Sequence, residues 1–323
     1  MIAIFLQSQI KCFQPTDGQV VAFGQRLKDA AAKIGSSHPA PAIRLCRSEE
    51  EFVAALPETS VAIVWTFRQE WFALAPHLKA VYTPAAGRDY FKVSPPPGVT
   101  LTYGAFHGAI MGETALACVL SMAHGILPYA GVMNSFDDTP PKDPWPRLQI
   151  ESSARRISSS TILILGFGAI GRTFARMASP FGPRLIGVTR HPHPELAKEF
   201  PNIVLATLDD LDAHLPTADH VVCFLPSGAD TDDLIDACRL ALMKHSAFLY
   251  NFGRGNCIEE NALAAALHSR RLAGAVLDVF KEEPLPASSP LRIAPNCWLF
   301  PHSSAFSPDY LDLYFSSIGQ TLI

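Results

Sequence analysis

Short apolar runs alternate with helix-like stretches along almost the whole chain. This rhythm is typical of βαβ units, in which helices join the parallel strands of one sheet. Before residue 104, the predicted strands are Ile2–Gln7, Ile43–Cys46, Val61–Thr66, Lys79–Thr83 and Thr100–Tyr103, and the predicted helices are Val20–Lys33 and Glu49–Leu56. These elements indicate a small α/β unit that ends near Tyr103.

A second series of strands begins at Thr161 with the run TILILG, whose apolar character suits a strand buried on both faces of a parallel sheet. The further predicted strands are Arg184–Thr189, His220–Leu225, Ala247–Asn251, Gly274–Leu277 and Cys297–Phe300. The helices predicted between them are Gly168–Ser179, Asp230–Ala237 and Glu259–His268. Six strands of this kind predict a second, doubly wound α/β domain.

Two further helices flank the second series. A long apolar helix, Gly108–Ile126, precedes it, and an amphipathic helix, Ser307–Ile323, follows it. The last helix has no place in a finished six-stranded sheet, so we expect it to pack on the first domain, with the second domain inserted into the first. The predicted division assigns residues 1–102 plus 296–323 to one domain and residues 103–295 to the other. Because Glu113 is its only charge, we expect the long helix to lie in the two-fold interface of a homodimer.

The composition excludes several classes of protein. A length of 323 residues corresponds to about two domains. The 26 lysines and arginines stand against 30 aspartates and glutamates, which gives a net charge of −4, and no basic run exceeds two residues. Because phosphate backbones are bound by clustered basic residues, we expect no nucleic acid partner. The seven cysteines form no CxxC pair and lack the close Cys/His spacing of a zinc site, so we expect reduced thiols and no metal.

The sequence predicts neither a secretion signal nor a membrane span. The segment MIAIFLQSQIK has no basic residue before its short apolar run and no small-residue cleavage site after it, which favours a first strand and a cytoplasmic protein. The uncharged stretch Thr114–Phe136 is interrupted by polar and helix-breaking residues, among them His124, Gly125 and Pro128. It therefore favours a buried helix over one that crosses a bilayer.

A glycine-rich turn follows the first strand of the second series. The sequence Gly166-Phe167-Gly168-Ala169-Ile170-Gly171 lies directly after a predicted strand and opens a predicted helix, which is the context that supports a GxGxxG motif. Gly166 allows the tight turn, Gly168 leaves the backbone bare for a pyrophosphate, and Gly171 allows the helix to pack closely on the sheet. The N–H groups at the start of the helix attract phosphate. The motif therefore predicts a dinucleotide cofactor.

The end of the next strand bears on which dinucleotide binds. NAD sites carry a carboxylate there, about 20 residues further on, to hold the ribose 2′-hydroxyl. Here the strand ends in Thr189-Arg190-His191. Because a guanidinium offers a planar set of donors to phosphate oxygens, this end favours a 2′-phosphate, and hence NADP over NAD, and His191 and His193 would add hydrogen bonds. The alternative, in which Arg190 is an exposed loop residue without a ligand, stays open.

Six further motifs follow in order. They are Val222-Cys223-Phe224-Leu225-Pro226 followed by Asp230-Thr231-Asp232-Asp233-Leu234-Ile235, then Leu242-Met243-Lys244, Asn251-Phe252-Gly253-Arg254-Gly255, Leu277-Asp278-Val279-Phe280 with Glu283-Pro284-Leu285, and Pro301-His302. From about Gly104 to Phe306, their order and spacing resemble the D-isomer-specific 2-hydroxyacid dehydrogenases. The resemblance implies an α/β fold with two doubly wound domains, a Rossmann cofactor domain inserted into a flavodoxin-like substrate domain, and a site in the cleft between them.

The resemblance also implies the roles of individual residues. Arg254 would bind the carboxylate and carbonyl of a 2-keto acid, and His302 would be the acid/base. Glu283 would pair with that histidine, with its neighbour Glu282 as the alternative partner. Imidazole can exchange a proton in both directions near neutral pH, and an arginine near the reacting carbon polarises the carbonyl. The implied cofactor-binding residues are Gly166, Gly168, Ala169, Ile170, Gly171, Thr189, Arg190, Leu225, Pro226, Thr231, Phe252, Gly253 and Asp278.

Two other segments receive roles from the same resemblance. Ala86, Gly87 and Arg88 would hold the substrate carboxylate through backbone N–H groups. Trp145 either extends toward the active site of a neighbouring subunit or is buried in its own core.

The resulting hypothesis is an oxidoreductase that transfers a hydride between NADP(H), or NAD(H), and a small 2-keto acid or D-2-hydroxy acid. We expect it to act mainly as a glyoxylate or hydroxypyruvate reductase. A second hypothesis is a nucleotide-sensing protein, like the transcriptional corepressors that resemble these dehydrogenases. Arg254, Glu283 and His302 together favour the enzyme, because a sensor needs no acid/base. Formate or phosphite oxidation on the same scaffold is a weaker alternative.

Overall fold

The computed structural model describes residues 1–33, 40–88, 92–129, 154–192, 194–319 and 322. They form two compact units. Unit 1 comprises Met1–His107 and Phe306–Ile323, and unit 2 comprises Gly108–Ala305. Along the chain, unit 2 is therefore inserted between the two parts of unit 1.

Both units alternate strands with helices. In chain order, the strands are β1 (Ile2–Phe5), β2 (Ile43–Leu45), β3 (Val61–Val64), β4 (Ala80–Thr83), β5 (Thr100–Tyr103), β6 (Thr161–Leu165), β7 (Arg184–Val188), β8 (Ile203–Ala206), β9 (His220–Cys223), β10 (Phe248–Asn251), β11 (Gly274–Leu277) and β12 (Cys297–Leu299). The described α-helices are α1 (Asp17–Lys33), α2 (Glu49–Ala55), α3 (Trp71–Leu74), α4 (Gly108–Ala123), α5 (Ile126–Tyr129), α6 (Ala169–Ala178), α7 (Pro194–Glu199), α8 (Leu211–His214), α9 (Ala237–Leu242), α10 (Glu260–His268) and α11 (Tyr310–Gly319).

The sheet of unit 1 has the strand order β2-β1-β3-β4-β5, and every neighbouring pair is parallel. This is the flavodoxin-like order. The C-terminal helix α11 packs on α1, where the rings of Phe23 and Phe315 stack with their centroids 4.8 Å apart. Beside them, Gln19 Nε2 donates to Asp312 Oδ2 at 2.9 Å. The last helix thus packs on the first unit.

The sheet of unit 2 has the strand order β12-β11-β10-β9-β6-β7-β8, again with parallel pairs throughout. Successive residues of the central strand β6 serve two cores, since Ile162 and Ile164 belong to one apolar cluster and Leu163 and Leu165 to the other. A strand buried on both faces explains the unbroken apolar run. The order reverses between β6 and β9, and ligands of doubly wound sheets bind outside the carboxyl ends of the strands at such a point. The predicted fold class is confirmed.

One strand of unit 2 escaped the sequence pattern. The prediction of six strands is wrong, because β8 pairs with β7 as a seventh strand at the edge of the sheet. Of its four residues only Ala206 is buried, and Val204 is exposed. Its four residues, Ile203–Ala206, are all apolar, but so short an apolar run does not by itself distinguish a strand from a segment of buried helix.

The helix predicted over Asp230–Ala237 is also wrong. The Oγ1 of Thr231 hydrogen-bonds the carbonyl oxygen of Gly228 at 2.9 Å, which draws the chain into a turn, and Asp233 has a φ of +48°. The helix α9 begins only at Ala237, after the side chain of Asp236 caps its N-terminus. Threonine and aspartate side chains compete with helical hydrogen bonds in this way and favour turns and caps.

The chain passes between the units at different residues from those expected. It leaves unit 1 after His107 and returns after Ala305, whereas the sequence placed the crossings at residues 103 and 295. The difference at the second crossing arises because β12 pairs in parallel with β11 and so belongs to the sheet of unit 2.

All seven cysteines lie in the described part of the chain as free thiols. Burial raises the pKa of Cys118 to about 11, with a further contribution from Asp278, and raises that of Cys297 to about 12. These two thiols are therefore protonated and unreactive at neutral pH. Of the helices that the structure describes, none has the length and apolar character needed to cross a membrane. The described residues also contain no cluster of His, Cys, Asp or Glu suited to a metal ion.

The pH dependence of stability is predicted to include a contribution from His220. This side chain is buried at the start of β9, where its Nδ1 lies 2.9 Å from Tyr250 Oη. Burial, with help from Lys244 and against Asp219, lowers the pKa of His220 to about 4. The unfolded chain has the ordinary pKa of about 6.5. The contribution of the neutral His220 side chain to the free energy of unfolding is therefore complete above pH ~6.5. As the pH falls toward ~4, roughly 2 to 3 kcal/mol of that free energy is lost.

The free energy of unfolding should fall between about pH 7 and about pH 4.5 in both wild type and His220→Gln. We expect the fall to be about 2 kcal/mol smaller in His220→Gln. Urea denaturation at the two pH values measures this difference. The matched control is His245→Gln at an exposed position, which should behave as wild type. Equal losses in wild type and His220→Gln would contradict the prediction.

Candidate active site

The glycine-rich turn lies where the sequence predicts it, between β6 and α6. Gly166 has a φ of +92°, in the left-handed region, and a Cβ there would lie 2.9 Å from the carbonyl carbon of Phe224. Only glycine allows the two loops to approach this closely. Gly168 forms the N-cap of α6 without a side-chain hydrogen bond to the helix, and a Cβ on it would meet no protein atom within 4 Å. The helix start thus faces open space with its N–H groups available.

A groove of about 170 Å³ lies beside this turn. It is lined by Gly166, Phe167, Gly168, Val188, Thr189, Arg190, Leu208, Leu225, Pro226 and Thr231. Seven of these are residues that the sequence predicted to bind the cofactor, and Ala169, Ile170 and Gly171 open the adjoining helix. A bare turn, a helix N-terminus and an apolar wall suit the pyrophosphate and adenosine part of a dinucleotide. The residues present therefore fit the predicted cofactor.

The groove also contains residues that the sequence interpretation missed. Leu208 lies just after β8, and because that strand was not predicted, nothing placed the following loop at the site. Val188 and Phe167 line the groove from β7 and from the glycine-rich turn. Both lie in segments that the sequence analysis names, but an apolar side chain that lines a groove cannot be told from an ordinary core residue by its sequence alone.

Arg190 lies at the end of β7 with its guanidinium against Asp230. Its Nε donates to Asp230 Oδ2 at 2.9 Å, and its Nη2 lies 2.7 Å from Oδ1 and 2.6 Å from Oδ2. Both side chains are about half exposed. Thr189, which precedes Arg190, is held to the next strand by its N–H, which donates to the carbonyl oxygen of Ala206 at 2.9 Å. The groove thus carries an arginine, but one that has an acidic partner.

The loops after β9 and β10 are joined to each other. Asn251 ends β10, and its Oδ1 accepts from the N–H of Gly253 while its Nδ2 donates to the carbonyl oxygen of Arg254, both at 3.0 Å. Phe252 is buried between them. A Cβ on Gly253 would lie 2.4 Å from the carbonyl oxygen of Leu225, so the two loops touch backbone to backbone. The sequence interpretation missed the role of Asn251, although it is part of a quoted motif.

Arg254 is held at the carboxyl end of β10 by its neighbours. Its Nη1 donates to the carbonyl oxygen of Gly253 at 3.0 Å, and its side chain is part-buried. A Cβ on Gly255 would lie 1.9 Å from the carbonyl carbon of Phe280, so this loop packs directly on the loop that follows β11. The glycine therefore brings the arginine segment against the segment that carries Glu283.

Glu283 and His302 form a hydrogen-bonded pair. Glu283 Oε2 lies 2.7 Å from His302 Nδ1, and Glu283 Oε1 accepts from the N–H of Phe280 at 3.0 Å. The structure thus selects Glu283 rather than Glu282 as the partner of the histidine. With Nδ1 bound to a carboxylate, Nε2 is the nitrogen that remains to exchange a proton with a ligand. The half-exposed ring is accessible for that exchange.

Asp278 fixes the loop that carries His302. Its buried carboxylate accepts from the N–H of Ser303 at 2.7 Å and of Ser304 at 2.9 Å. Its carbonyl oxygen accepts from the N–H of His302 at 2.9 Å. His302 has a φ of +52°, which is unfavourable for a residue with a side chain and must be held by such contacts. The sequence assigned Asp278 to the cofactor; the structure adds this structural role.

The remaining predicted residues lie in unit 1 or outside the described part. Ala86 and Arg88 are exposed and Gly87 is half-buried in the loop after β4. Ala85, which precedes them, accepts at its carbonyl oxygen from the N–H of Gly104 at 2.9 Å. Trp145 and His193 lie outside the described residues.

The strand order explains which predicted residues come together. Arg254 follows β10, Asp278 and Glu283 follow β11, and His302 follows β12, and these three strands are neighbours in the sheet. The carboxyl ends of parallel strands share one edge. This edge therefore carries an anchoring cation and a carboxylate-bound imidazole in the same sheet as the dinucleotide groove. Such a set can bind an acid and exchange a proton with it.

Comparisons with known proteins agree with this chemistry. Residues 127–304 match the family model of the D-isomer specific 2-hydroxyacid dehydrogenase, NAD binding domain. Glyoxylate/hydroxypyruvate reductase B of Citrobacter koseri is 34% identical over 241 residues, which cover 70% of this chain and 68% of that protein. The corresponding reductase of Pectobacterium carotovorum subsp. carotovorum is 35% identical, with 71% and 69% covered.

The fold is shared with solved structures of the same kind. A D-isomer specific 2-hydroxyacid dehydrogenase from Xanthobacter autotrophicus Py2, in complex with NADPH and MES, aligns over 99% of this chain and 94% of that chain, with a TM-score of 0.71 and 25% identity. The family model covers more than half of the present chain. The chain therefore belongs to the D-isomer specific 2-hydroxyacid dehydrogenase family, whose members are NAD(P)-dependent oxidoreductases.

Proposed function

We propose that this enzyme is an NADP(H)-preferring reductase of small 2-keto acids, of the glyoxylate and hydroxypyruvate type, that forms D-2-hydroxy acids. The observation that carries the proposal is the 2.7 Å pair of His302 and Glu283 at the sheet edge that also carries Arg254. The names of the two reductases above support the substrate class. The same pair argues against a nucleotide sensor, which needs no acid/base.

In this proposal the cofactor is held by the groove and by the loops after β9, β10 and β11. The start of α6 binds the pyrophosphate. The pyrophosphate is flanked by Leu225, Pro226 and Thr231, and the nicotinamide part is contacted by Phe252, Gly253 and Asp278. When bound, the nicotinamide supplies a hydride to the keto acid or accepts one from the hydroxy acid.

The chain's own residues orient the acid and move the proton. Arg254 binds the carboxylate and carbonyl of the substrate and polarises the carbonyl, as a cation near a developing alkoxide does. His302 donates the proton that the alkoxide needs, and in the reverse direction its neutral ring accepts one. Glu283 favours the imidazolium by its charge and fixes the ring by its hydrogen bond. Ala86, Gly87 and Arg88 are proposed to bind the substrate carboxylate as well.

The proposed preference for NADP(H) rests on Thr189 and Arg190. Thr189 stands at the end of β7, where NAD sites carry a carboxylate, and Arg190 lines the groove there. The Xanthobacter dehydrogenase, which shares the fold, was solved with NADPH. A charge-assisted hydrogen bond contributes about 1.5 to 3 kcal/mol, which corresponds to an affinity ratio of about 10 to 150.

The acid/base role is tested by His302→Asn. We expect kcat for glyoxylate reduction to fall by about 100- to 10,000-fold, because asparagine cannot supply the proton. The dissociation constant for NADPH should change little, since the groove lies on other strands. Steady-state kinetics and fluorescence titration measure the two quantities, and a loss of activity below about tenfold would refute the role.

Two carboxylate variants refine that test. Glu283→Gln keeps a hydrogen bond to the ring but removes the charge that favours the imidazolium. We therefore expect its kcat for glyoxylate reduction to fall by about tenfold or more, with KM changed little. Glu282→Gln is the matched control and should leave kcat as in wild type.

The cofactor preference is tested first on wild type and then on Arg190→Ala. Wild type should have the higher kcat/KM with NADPH than with NADH, for glyoxylate and hydroxypyruvate alike. Arg190→Ala should raise KM for NADPH by at least about tenfold and leave that for NADH nearly unchanged. Arg176→Ala removes an equally exposed cation elsewhere in unit 2 and serves as control. Equal effects on both cofactors would show that Arg190 is only a loop residue.

We also propose that the enzyme is a cytoplasmic homodimer. One face of α4 is buried within unit 2 against α6, but Ala109 and Ala117 on its other side are exposed, and Glu113 is its only charge. Small apolar residues on a helix face with Glu113 as its single charge suit a two-fold contact. Sedimentation at micromolar concentration should give twice the chain mass of 35.1 kDa. A species of single-chain mass would contradict the dimer.

A further inference from the structure

The partner of Arg190 lies in a rigid turn next to the groove. Thr231, which follows Asp230, lines the groove, and its Oγ1 hydrogen-bonds the carbonyl oxygens of Pro226 at 2.8 Å and of Gly228 at 2.9 Å. The N–H of Thr231 also donates to Gly228 at 2.8 Å. A Cβ on Gly228 would lie 3.1 Å from Asp230 Oδ1 and 3.7 Å from Arg190 Nη2. The hydrogen bonds of Thr231 therefore fix the backbone of the turn that carries Asp230.

The carboxylate occupies one of the two edges through which the guanidinium can bind a phosphate with a pair of nitrogens. Nε and Nη2 form one edge of the guanidinium, and both nitrogens bind Asp230. Nη1 makes no hydrogen bond to any residue within the described ranges. A phosphate that binds Nε and Nη2 together has to displace Asp230, whereas one that binds Nη1 and Nη2 meets a guanidinium whose charge the carboxylate already offsets.

Electrostatics acts in the same direction. A ribose 2′-phosphate at Arg190 carries nearly two negative charges and would lie close to the Asp230 carboxylate, so the two anions repel. The carboxylate could instead help by ordering Arg190 before the cofactor binds. That benefit is small, because the side chains of Arg190 and Asp230 are 55% and 47% exposed. An ion pair that is this exposed to solvent does little to order a long side chain. Competition therefore outweighs positioning.

We propose that Asp230 is a specificity-determining residue, which competes with the 2′-phosphate of NADP(H) for Arg190 and so limits the preference for NADP(H) over NAD(H). This inference rests on the proposed function, in that Arg190 has to meet the 2′-phosphate. It concerns how strongly the site discriminates, whereas the proposed function concerns which cofactor it prefers.

The test compares Asp230→Asn with wild type on the full-length chain. The probes are NADPH and NADH, and also adenosine 2′,5′-bisphosphate and adenosine 5′-monophosphate, which differ only in the 2′-phosphate. Calorimetric titration gives the affinity ratio within each pair. We expect Asp230→Asn to raise both ratios by about three- to thirty-fold in favour of the 2′-phosphate, because the competing charge is removed while the turn keeps its shape. An unchanged or lowered ratio would overturn the proposal.

Two controls separate this mechanism from others. Asp212→Asn removes an exposed carboxylate that pairs with Arg239, away from the groove, and should leave the ratios unchanged. In the Arg190→Ala background, Asp230→Asn should raise the ratios by clearly less than in the wild-type background, because only the direct repulsion between the two anions is then removed. An equal rise in that background would assign the whole effect to direct repulsion and overturn competition for Arg190.

The outcome also distinguishes failure of the inference from failure of the proposed function. If wild type binds NADH more tightly than NADPH, the proposed preference is wrong. A rise of the ratio in Asp230→Asn would then still support competition at Arg190. Binding of adenosine 5′-monophosphate by each variant reports that the groove is folded.

Discussion

The buried carboxylate of Asp278 is the group on which the geometry of the catalytic edge depends. It lies at the end of β11 and is fully removed from solvent, where an unpaired charge would be costly. Two backbone N–H groups from the segment after His302 satisfy it, and the Asp278 carbonyl oxygen takes the N–H of His302 itself. Three hydrogen bonds from one residue thus hold the histidine in a left-handed conformation that the chain would otherwise avoid.

The same edge is assembled by backbone contacts as much as by side chains. Asn251 satisfies one donor and one acceptor of the arginine loop, and Gly255 lets that loop lie on the backbone of Phe280. Phe280 in turn donates its N–H to Glu283, the partner of His302. A side chain at residue 255 would therefore disturb the arginine and the carboxylate together. Sites built on rigid strand ends and supported in this way keep their groups in position.

The sequence could predict those parts of the structure that are written in consecutive residues. The apolar run of β6, the glycine turn at Gly166 and the helix after it each follow from local rules, and the turn is where the groove lies. The strand β8 gives a weaker signal, because its four apolar residues are too few to distinguish a strand from a segment of buried helix. With β8 the loop of Leu208 was missed as well. The segment from Asp230 forms a turn rather than the predicted helix because the side chains of Thr231 and Asp232 bind the carbonyl oxygen of Gly228 and the amide of Asn256.

The ion pair of Arg190 and Asp230 shows a limit of a different kind. The two residues are 40 positions apart and belong to different motifs, one at the end of β7 and the other after β9. Inspection of the strand end alone finds an arginine without a carboxylate and predicts a simple phosphate site. In the folded chain, Asp230 in the loop after β9 places a carboxylate at the same strand end. A local rule for cofactor choice therefore has to be completed by the tertiary neighbours of the arginine.

Cofactor choice and proton transfer are also separated by the strand order. Arg190 follows β7, while His302 follows β12, and four strands lie between these two in the sheet. At about 4.8 Å per strand spacing, the two sites are about 24 Å apart along the sheet edge. Mobile ions screen exposed charges beyond about 8 Å at physiological salt, and both groups are half-exposed. A change of charge at Arg190 or Asp230 is thus hardly felt at His302, so this fold can alter its cofactor preference while its acid/base chemistry stays the same.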